Sequence, residues 1–401
     1  MKNLLSQKIR DDLFYIGVND RNTQLFEAMW PLPDGVAYNS YLVKGSKNIL
    51  FDLVKETEQI DFFEKLREVL GPDEKIDYLI INHMEPDHTS GIVALLARYP
   101  DVKIITNKKA LPFLKNFYDV EKNIDLVEDG QTIQLGDHDF TFYMTPMVHW
   151  PESMVAYEEK TKTLFSQDIF GGFGTLDGAI FDDQVEFDKY YLDETNRYFI
   201  NIVGKYAQQA VKALEKLAPL EIKMICPDHG PIWRKNPKKI MEIYTSLAKQ
   251  ETEKGVAIIF GSMYGNTERM AQAVAKGVAE AGLTNIRMHD VSKTAQSYLL
   301  ADCWKYKGII LGSCSYNNNI FPVMGFLLQE LKHQRMKNNI WGFFGSYSWN
   351  GGAMKEFKKF VEENKCNTLE SFPEIQGSAT DEELEELKNL GREMAKRILE
   401  D

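Results

Sequence analysis

Apolar residues recur along the chain in two rhythms. Short continuous apolar runs, bounded by Gly, Pro or polar clusters, predict buried strands over residues 76–81, 103–106, 140–144, 163–166 and 222–226. The same pattern predicts buried parallel strands over 256–260, 308–312 and 341–345. Residues 41–43 and 48–52 predict a hairpin across Lys44-Gly45-Ser46-Lys47. Spacings of three and four predict helices over 60–70, stopped by Gly71-Pro72, from Ser90 with Ile92, Leu95 and Leu96 inward, and over 240–247. A further helix follows residue 267, with Met270, Ala271, Val274, Val278 and Ala281 on one face and Gly282 as its stop. The run Lys249-Gln250-Glu251-Thr252-Glu253-Lys254 is polar throughout. It predicts a boundary between one domain, 1–252, and a second, 253–401.

The strands of the first half end in ligand-type side chains. Residues 76–81 run into Asn82-His83-Met84-Glu85-Pro86-Asp87-His88, residues 140–144 lead to His149, 163–166 to Asp168, and 222–226 to Asp228-His229. Polar groups at the end of a buried strand are costly unless something binds them. Taken alone, 82–88 also reads as a solvated loop; four such strand ends count against coincidence. His83, Glu85, Asp87, His88, His149, Asp168 and His229 make four imidazoles and three carboxylates. One tetrahedral zinc needs four ligands. Seven suit two cations with open positions and a bridging carboxylate, for which Asp168 is the candidate. Carboxylate and imidazole without thiolate suit non-haem iron or manganese, and zinc also binds such sites.

The second half has a different strand-end chemistry. Residues 256–260 run into Gly261-Ser262-Met263-Tyr264-Gly265-Asn266-Thr267 and then a helix. Strand, Gly/Ser/Thr turn and helix together hold a phosphate through N–H groups, hydroxyls and the helix dipole. The bland alternative is a tight turn only. Two further strand ends carry Ser313-Cys314-Ser315-Tyr316-Asn317-Asn318-Asn319 and Ser346-Tyr347-Ser348-Trp349-Asn350-Gly351-Gly352. Ligands of open α/β sheets lie outside the carboxyl ends of the strands. Tyr316 and Trp349 either stack on a flat heterocycle or face an interface.

Composition narrows the class. The 401 residues carry 47 Lys and Arg against 59 Asp and Glu, a net charge of −12, which argues against nucleic acid as a partner. No run approaches 18 apolar residues, so no membrane span is expected. No signal peptide is read at the N-terminus, and the four scattered cysteines form no C-x-x-C pair, so the expected location is the cytoplasm.

The His-x-x-x-Asp-His frame at 83–88, with His149, Asp168 and His229, resembles the metallo-β-lactamase superfamily. Glu85 stands where its hydrolases usually carry a second His, and that exchange resembles the flavodiiron proteins. The turn Ser-x-Tyr-Gly-Asn-Thr at 262–267, with the loops after 312 and 345, resembles flavodoxin. The resemblance implies an αββα metallo-β-lactamase-like sandwich followed by a flavodoxin-like doubly wound parallel sheet. It implies one iron on His83, Glu85 and His149, another on Asp87, His88 and His229, and Asp168 bridging. It implies FMN on Ser262, Met263, Tyr264, Gly265, Asn266 and Thr267, flanked by Ser313, Cys314, Ser315, Tyr316, Asn317, Asn318, Ser346, Tyr347, Ser348, Trp349, Asn350 and Gly351. The implied activity is reduction of O2 to water or of NO to N2O, with electrons from an external rubredoxin-like donor. A head-to-tail homodimer, or a dimer of such dimers, is implied as well. Relatives place a tyrosine near the irons, which Tyr198 matches. Several carry a His after Phe upstream; here Glu27 follows Phe26, and it either takes that role or is an ordinary surface charge. The alternatives are a zinc hydrolase with an accessory flavodoxin domain, and a flavodoxin-like electron carrier with a structural front domain.

Overall fold

In the computed structural model, which describes residues 5–72 and 74–401, the chain divides into two compact units, 1–249 and 250–401. The first unit contains two sheets. One has the order Gln7–Arg10, Leu13–Tyr15, Tyr41–Val43, Ile49–Phe51, Tyr78–Ile80, Lys103–Thr106, Ile124–Leu126. Its first four strands pair antiparallel and the remainder pair parallel. The other sheet has the order Thr132–Leu135, His138–Met144, Met154–Glu158, Thr163–Gln167, Met224–Pro227, parallel only in its last pair.

The two sheets meet face to face through aromatic rings. Phe51 stacks on Phe165 with centroids 3.7 Å apart, and Phe140 and Tyr41 close around them at 5.4 and 5.8 Å. With that face filled, the crossovers between parallel strands must run outside. Helix Gln59–Leu70 serves the first sheet and Ala207–Leu217 the second. The αββα sandwich follows from this constraint.

The second unit has one parallel sheet ordered Ile286–Asp290, Glu253–Gly261, Tyr306–Tyr316, Ile340–Tyr347, Asn367–Thr368, with Glu374–Gln376 continuing the last edge. This is the 2-1-3-4-5 order of the flavodoxin-like doubly wound fold. Two differences from the expected elements matter. Tyr306–Tyr316 runs beyond 312 and turns through Asn317 and Asn318, both at positive φ (48° and 58°), into Asn319–Ile320. Asparagine tolerates that conformation, so a polar run that reads as loop is a tight hairpin. The helix expected from Ser90 runs Ile92–Arg98, and an unexpected one-turn helix, Pro86–Thr89, precedes it and carries Asp87 and His88.

Helices Asn266–Glu280 and Asp381–Glu400 cross at two glycines. A Cβ on Gly277 would lie 2.0 Å from the Lys388 carbonyl oxygen, and one on Gly391 would lie 2.1 Å from that of Val274. Met270, Val274, Val278, Leu387, Leu390 and Met394 are buried around the crossing. Gly391→Ala is therefore expected to overpack the contact and destabilise the second unit by about 1–3 kcal/mol. Denaturant unfolding of the second unit measures the loss, and unchanged stability would contradict the close crossing.

Candidate metal centre

The ligand-type side chains come from segments that follow strands. Asp52 accepts from the backbone N–H and the side-chain amide of Asn82 (2.8 and 2.9 Å), fixing the segment that delivers His83. Pro86 opens the short helix whose N-cap is Glu85, so Glu85, Asp87 and His88 emerge from one turn. Gln167, at positive φ, donates to the Val148 carbonyl (2.8 Å) and accepts from the Asp168 N–H (2.6 Å), tying the His149 segment to Asp168. His229 shares a 2.8 Å hydrogen bond between Nδ1 and the Ala37 carbonyl, which leaves Nε2 as the ligand atom.

The seven residues converge as two groups: His83, Glu85, His149 and Asp168, and Asp87, His88 and His229. Asp168 joins them. Its Oδ2 lies 3.2 Å from both His83 Nε2 and His149 Nε2, while its Oδ1 lies 3.2 Å from His88 Nε2 and 3.3 Å from His229 Nε2. Glu85 Oε2 closes the first group, 2.8 Å from His149 Nε2 and 3.4 Å from His83 Nε2. Asp87 Oδ2 closes the second at 3.4 and 3.5 Å from His88 and His229. Ligands about 2.1 Å from a common cation lie about 3.0–3.4 Å from one another, so most of these spacings fit the edges of two coordination shells that share one carboxylate.

The donors are dry and unsatisfied. His83, His88 and His229 are fully buried and Asp168 is 1% exposed. Both oxygens of Asp87 and of Asp168, both nitrogens of His88 and Nε2 of His229 have no hydrogen-bond partner. Buried polar atoms left this way are expensive, and two cations would satisfy them. The set fits a dinuclear metal site.

Electrostatics say the same. Burial alone would lower the imidazole pKa values, but the carboxylates outweigh it. Asp87, Asp228 and Asp168 hold His88 up at about 9, and Glu85 and Asp168 hold His149 there too. His83 and His229 are also raised. Asp168 and Glu85 move down, because the imidazoles outweigh their burial. Asp228 moves up, through burial and then Asp52. Without metal, protons stand in for the cations.

Tyr198 lies at this centre, and Glu27 is an exposed residue near enough to interact with the charges of Glu85 and His149. Tyr198 is fully buried, its ring 5.4 Å from His229 and 5.1 Å from Phe173, and its hydroxyl has no partner. It ends helix Leu192–Tyr198, where a π-helical turn, Phe199–Val203, begins. Glu27 is at the tip of the hairpin Leu25–Phe26/Trp30–Pro31, at φ 48°, and accepts from the Trp30 indole N–H at 3.0 Å. Burial and the Glu85 charge raise its pKa. Glu152, Asp228, Asp52 and Gln167 are further members that no periodic pattern marks. Their only signal is a polar residue beside a ligand or at a strand end.

In the second unit, Ser262, Met263, Tyr264, Asn266, Thr267, Cys314, Ser315, Ser346, Tyr347, Ser348 and Gly377 line one groove. Ser262 Oγ accepts from the Gly265 N–H (3.1 Å), and Thr267 and Ser346 share a 2.9 Å hydroxyl bond. Of the other residues assigned from sequence, Ser313 is buried and binds the Cys314 carbonyl. Gly265, Tyr316, Asn317, Asn318, Trp349, Asn350 and Gly351 lie outside the lining. Tyr264 and Trp349 are 91% and 79% exposed.

Comparison with known proteins gives the same two parts. The ODP family beta lactamase profile matches residues 36–230 and the flavodoxin profile residues 258–391. A nitric oxide reductase from Moorella thermoacetica is 32% identical over 97% of this chain and 98% of its own length. The chain belongs to the flavodiiron family. The rubredoxin oxygen:oxidoreductase of Desulfovibrio gigas superposes on this flavodiiron chain with a TM-score of 0.94 at 30% identity, covering 98% of this chain and 99% of that one. The flavodiiron protein of Giardia intestinalis, at 24% identity, has the same fold with a TM-score of 0.94 over 100% of this chain and 98% of its own.

The raised imidazoles carry a pH signature. Their protons stabilise the metal-free fold below the ordinary histidine pKa of 6.5, and that contribution is lost as pH rises through about 9. Chelator-treated protein is expected to melt progressively lower between pH 6.5 and 9, whereas metal-loaded protein, whose imidazoles bind in the neutral form, is not. Parallel falls in both forms would contradict the assignment.

Proposed function

We propose that this chain is a flavodiiron oxidoreductase that reduces O2 to water, NO to N2O, or both, at a non-haem diiron site supplied with electrons through FMN. The observation that carries the reading is the division of Asp168, whose two buried oxygens face different imidazole pairs. In this reading residues 1–252 form the metal-carrying domain and 253–401 the FMN-binding domain. His83, Glu85 and His149 hold one iron, Asp87, His88 and His229 the other, and Asp168 bridges them. The groove from Ser262 to Thr267 takes the FMN phosphate, and the strand ends at Cys314–Ser315 and Ser346–Ser348 flank the ring.

The irons, when bound, supply the electrons and the open positions at which a diatomic gas is reduced. The protein's own groups set the conditions. Burial keeps bulk water from the cluster and strengthens every charge interaction inside it. Glu85 adds a third anionic ligand where a further imidazole would be neutral, which favours the more highly charged metal state. Tyr198, whose pKa burial raises well above its ordinary value, stays protonated and offers an O–H donor beside the cluster. Glu27 gives the mouth of the site a carboxylate.

The external donor is rubredoxin-like, and the active form is a head-to-tail homodimer, or a pair of such dimers, that brings FMN near the irons. Among the described residues no helix is long and apolar enough to cross a membrane, and we assign the protein to the cytoplasm.

Asp168→Asn and His149→Ala are expected to lower bound metal and abolish gas reduction while FMN stays bound. Activity retained in both would refute the reading, as would purification with two zincs and hydrolase activity. Steady-state consumption of O2 and of NO with one reduced donor ranks the substrates. Turnover driven by NAD(P)H alone would refute the external donor.

A further inference from the structure

Three more carboxylates lie in the dry interior behind the proposed ligands. Glu152 is 2% exposed, and its Oε1 lies 3.1 Å from His83 Nδ1 and accepts from the Met84 N–H at 2.9 Å. Asp228 is 2% exposed, with Oδ2 3.6 Å from His88 Nδ1. Neither that oxygen nor that nitrogen has a hydrogen-bond partner. Asp52, 1% exposed, spends both oxygens on Asn82. Asn82 thus has a carboxylate that anchors the chain, whereas the Oδ2 of Asp228 is buried without a hydrogen bond.

We propose that Asp228 is a positioning residue for His88 and Glu152 one for His83, so that each metal position has one imidazole backed by a buried carboxylate. The proposal rests on the reading that both imidazoles bind metal through Nε2. A cation at Nε2 fixes the Nδ1–H tautomer and sharpens that N–H as a donor, and Asp228 Oδ2 is the acceptor in front of it. A small rotation of either side chain closes 3.6 Å to a hydrogen bond.

Charge gives the second half of the argument. The three ligand carboxyl groups and these three bring six acidic side chains to one buried region, Asp52, Glu85, Asp87, Glu152, Asp168 and Asp228. Burial holds the Asp228 carboxyl up without metal, and cations at both positions would draw all six to the carboxylate form, whose charge balances two trivalent cations and exceeds two divalent ones. Asp228 and Glu152 therefore favour the oxidised state of the centre, and removing either charge favours the reduced state.

The test uses full-length, flavin-loaded protein and Co(II) in competition with a chelator. Asp228→Asn is expected to weaken one of the two bound equivalents by roughly 10–100-fold and leave the other alone. Asp228→Ala, made in parallel, is expected to do the same. In a His88→Ala background Asp228→Asn should add nothing, because its effect runs through that ring. Glu152→Gln should weaken the other equivalent, and its effect should vanish in His83→Ala. In iron-loaded protein Asp228→Asn should raise the midpoint potential of the metal centre and leave that of the flavin unmoved. Unchanged affinity and potential in both Asp228 variants, with wild-type flavin content, would overturn the proposal, as would an undiminished effect in His88→Ala. Fewer than two equivalents on the wild type would overturn the two-metal reading itself.

Discussion

The first unit is organised around one shared carboxylate. Asp168 sits where the strand Thr163–Gln167 ends, fully enclosed, with one oxygen toward His83 and His149 and the other toward His88 and His229. Two cations held close together repel each other, and an anion between them is what makes the pair tolerable. No second residue in the cluster has its two oxygens divided between imidazole pairs. If Asp168 pointed only one way, the remaining side chains would describe one metal site and a set of buried, unpaired groups.

Several features around the cluster serve that arrangement. The face-to-face aromatic packing of Phe51, Phe140 and Phe165 builds a rigid floor from which strand ends project. Gln167 gives its whole side chain to joining two ligand segments. The one-turn helix Pro86–Thr89 is too short to matter for stability, yet it sets Glu85, Asp87 and His88 at different angles around the centre. Burying this many ionisable groups opposes folding, and only cations, or protons in their absence, make it acceptable.

Much of this was legible in the chain. Strands of the buried type announce themselves by continuous apolar runs, and ligand-type residues in the segments just after such runs are conspicuous; all seven stand out on that basis. The doubly wound sheet of the second unit is equally visible, because parallel strands are apolar on both faces. What stayed hidden had physical reasons. The strands Leu13–Tyr15, Val18–Asp20 and Leu25–Phe26 are too short to show a period, and their burial depends on partners distant in sequence. The Asn317-Asn318 turn has a loop-like composition because two asparagines were chosen for positive φ. Glu152 looks like an ordinary surface acid until the fold closes over it, and Asp228 is marked only by standing next to His229. Gly377 comes to the groove lined by Ser262 and Thr267 from a segment with no motif of its own.

Diffraction from crystals of the iron-loaded protein, collected at the iron absorption edge, tests the central claim most directly. The account predicts two anomalous peaks per chain, about 3.5–4 Å apart, with Asp168 between them and each within about 2.0–2.2 Å of one of its oxygens. A single peak, or two peaks that Asp168 does not join, would contradict it.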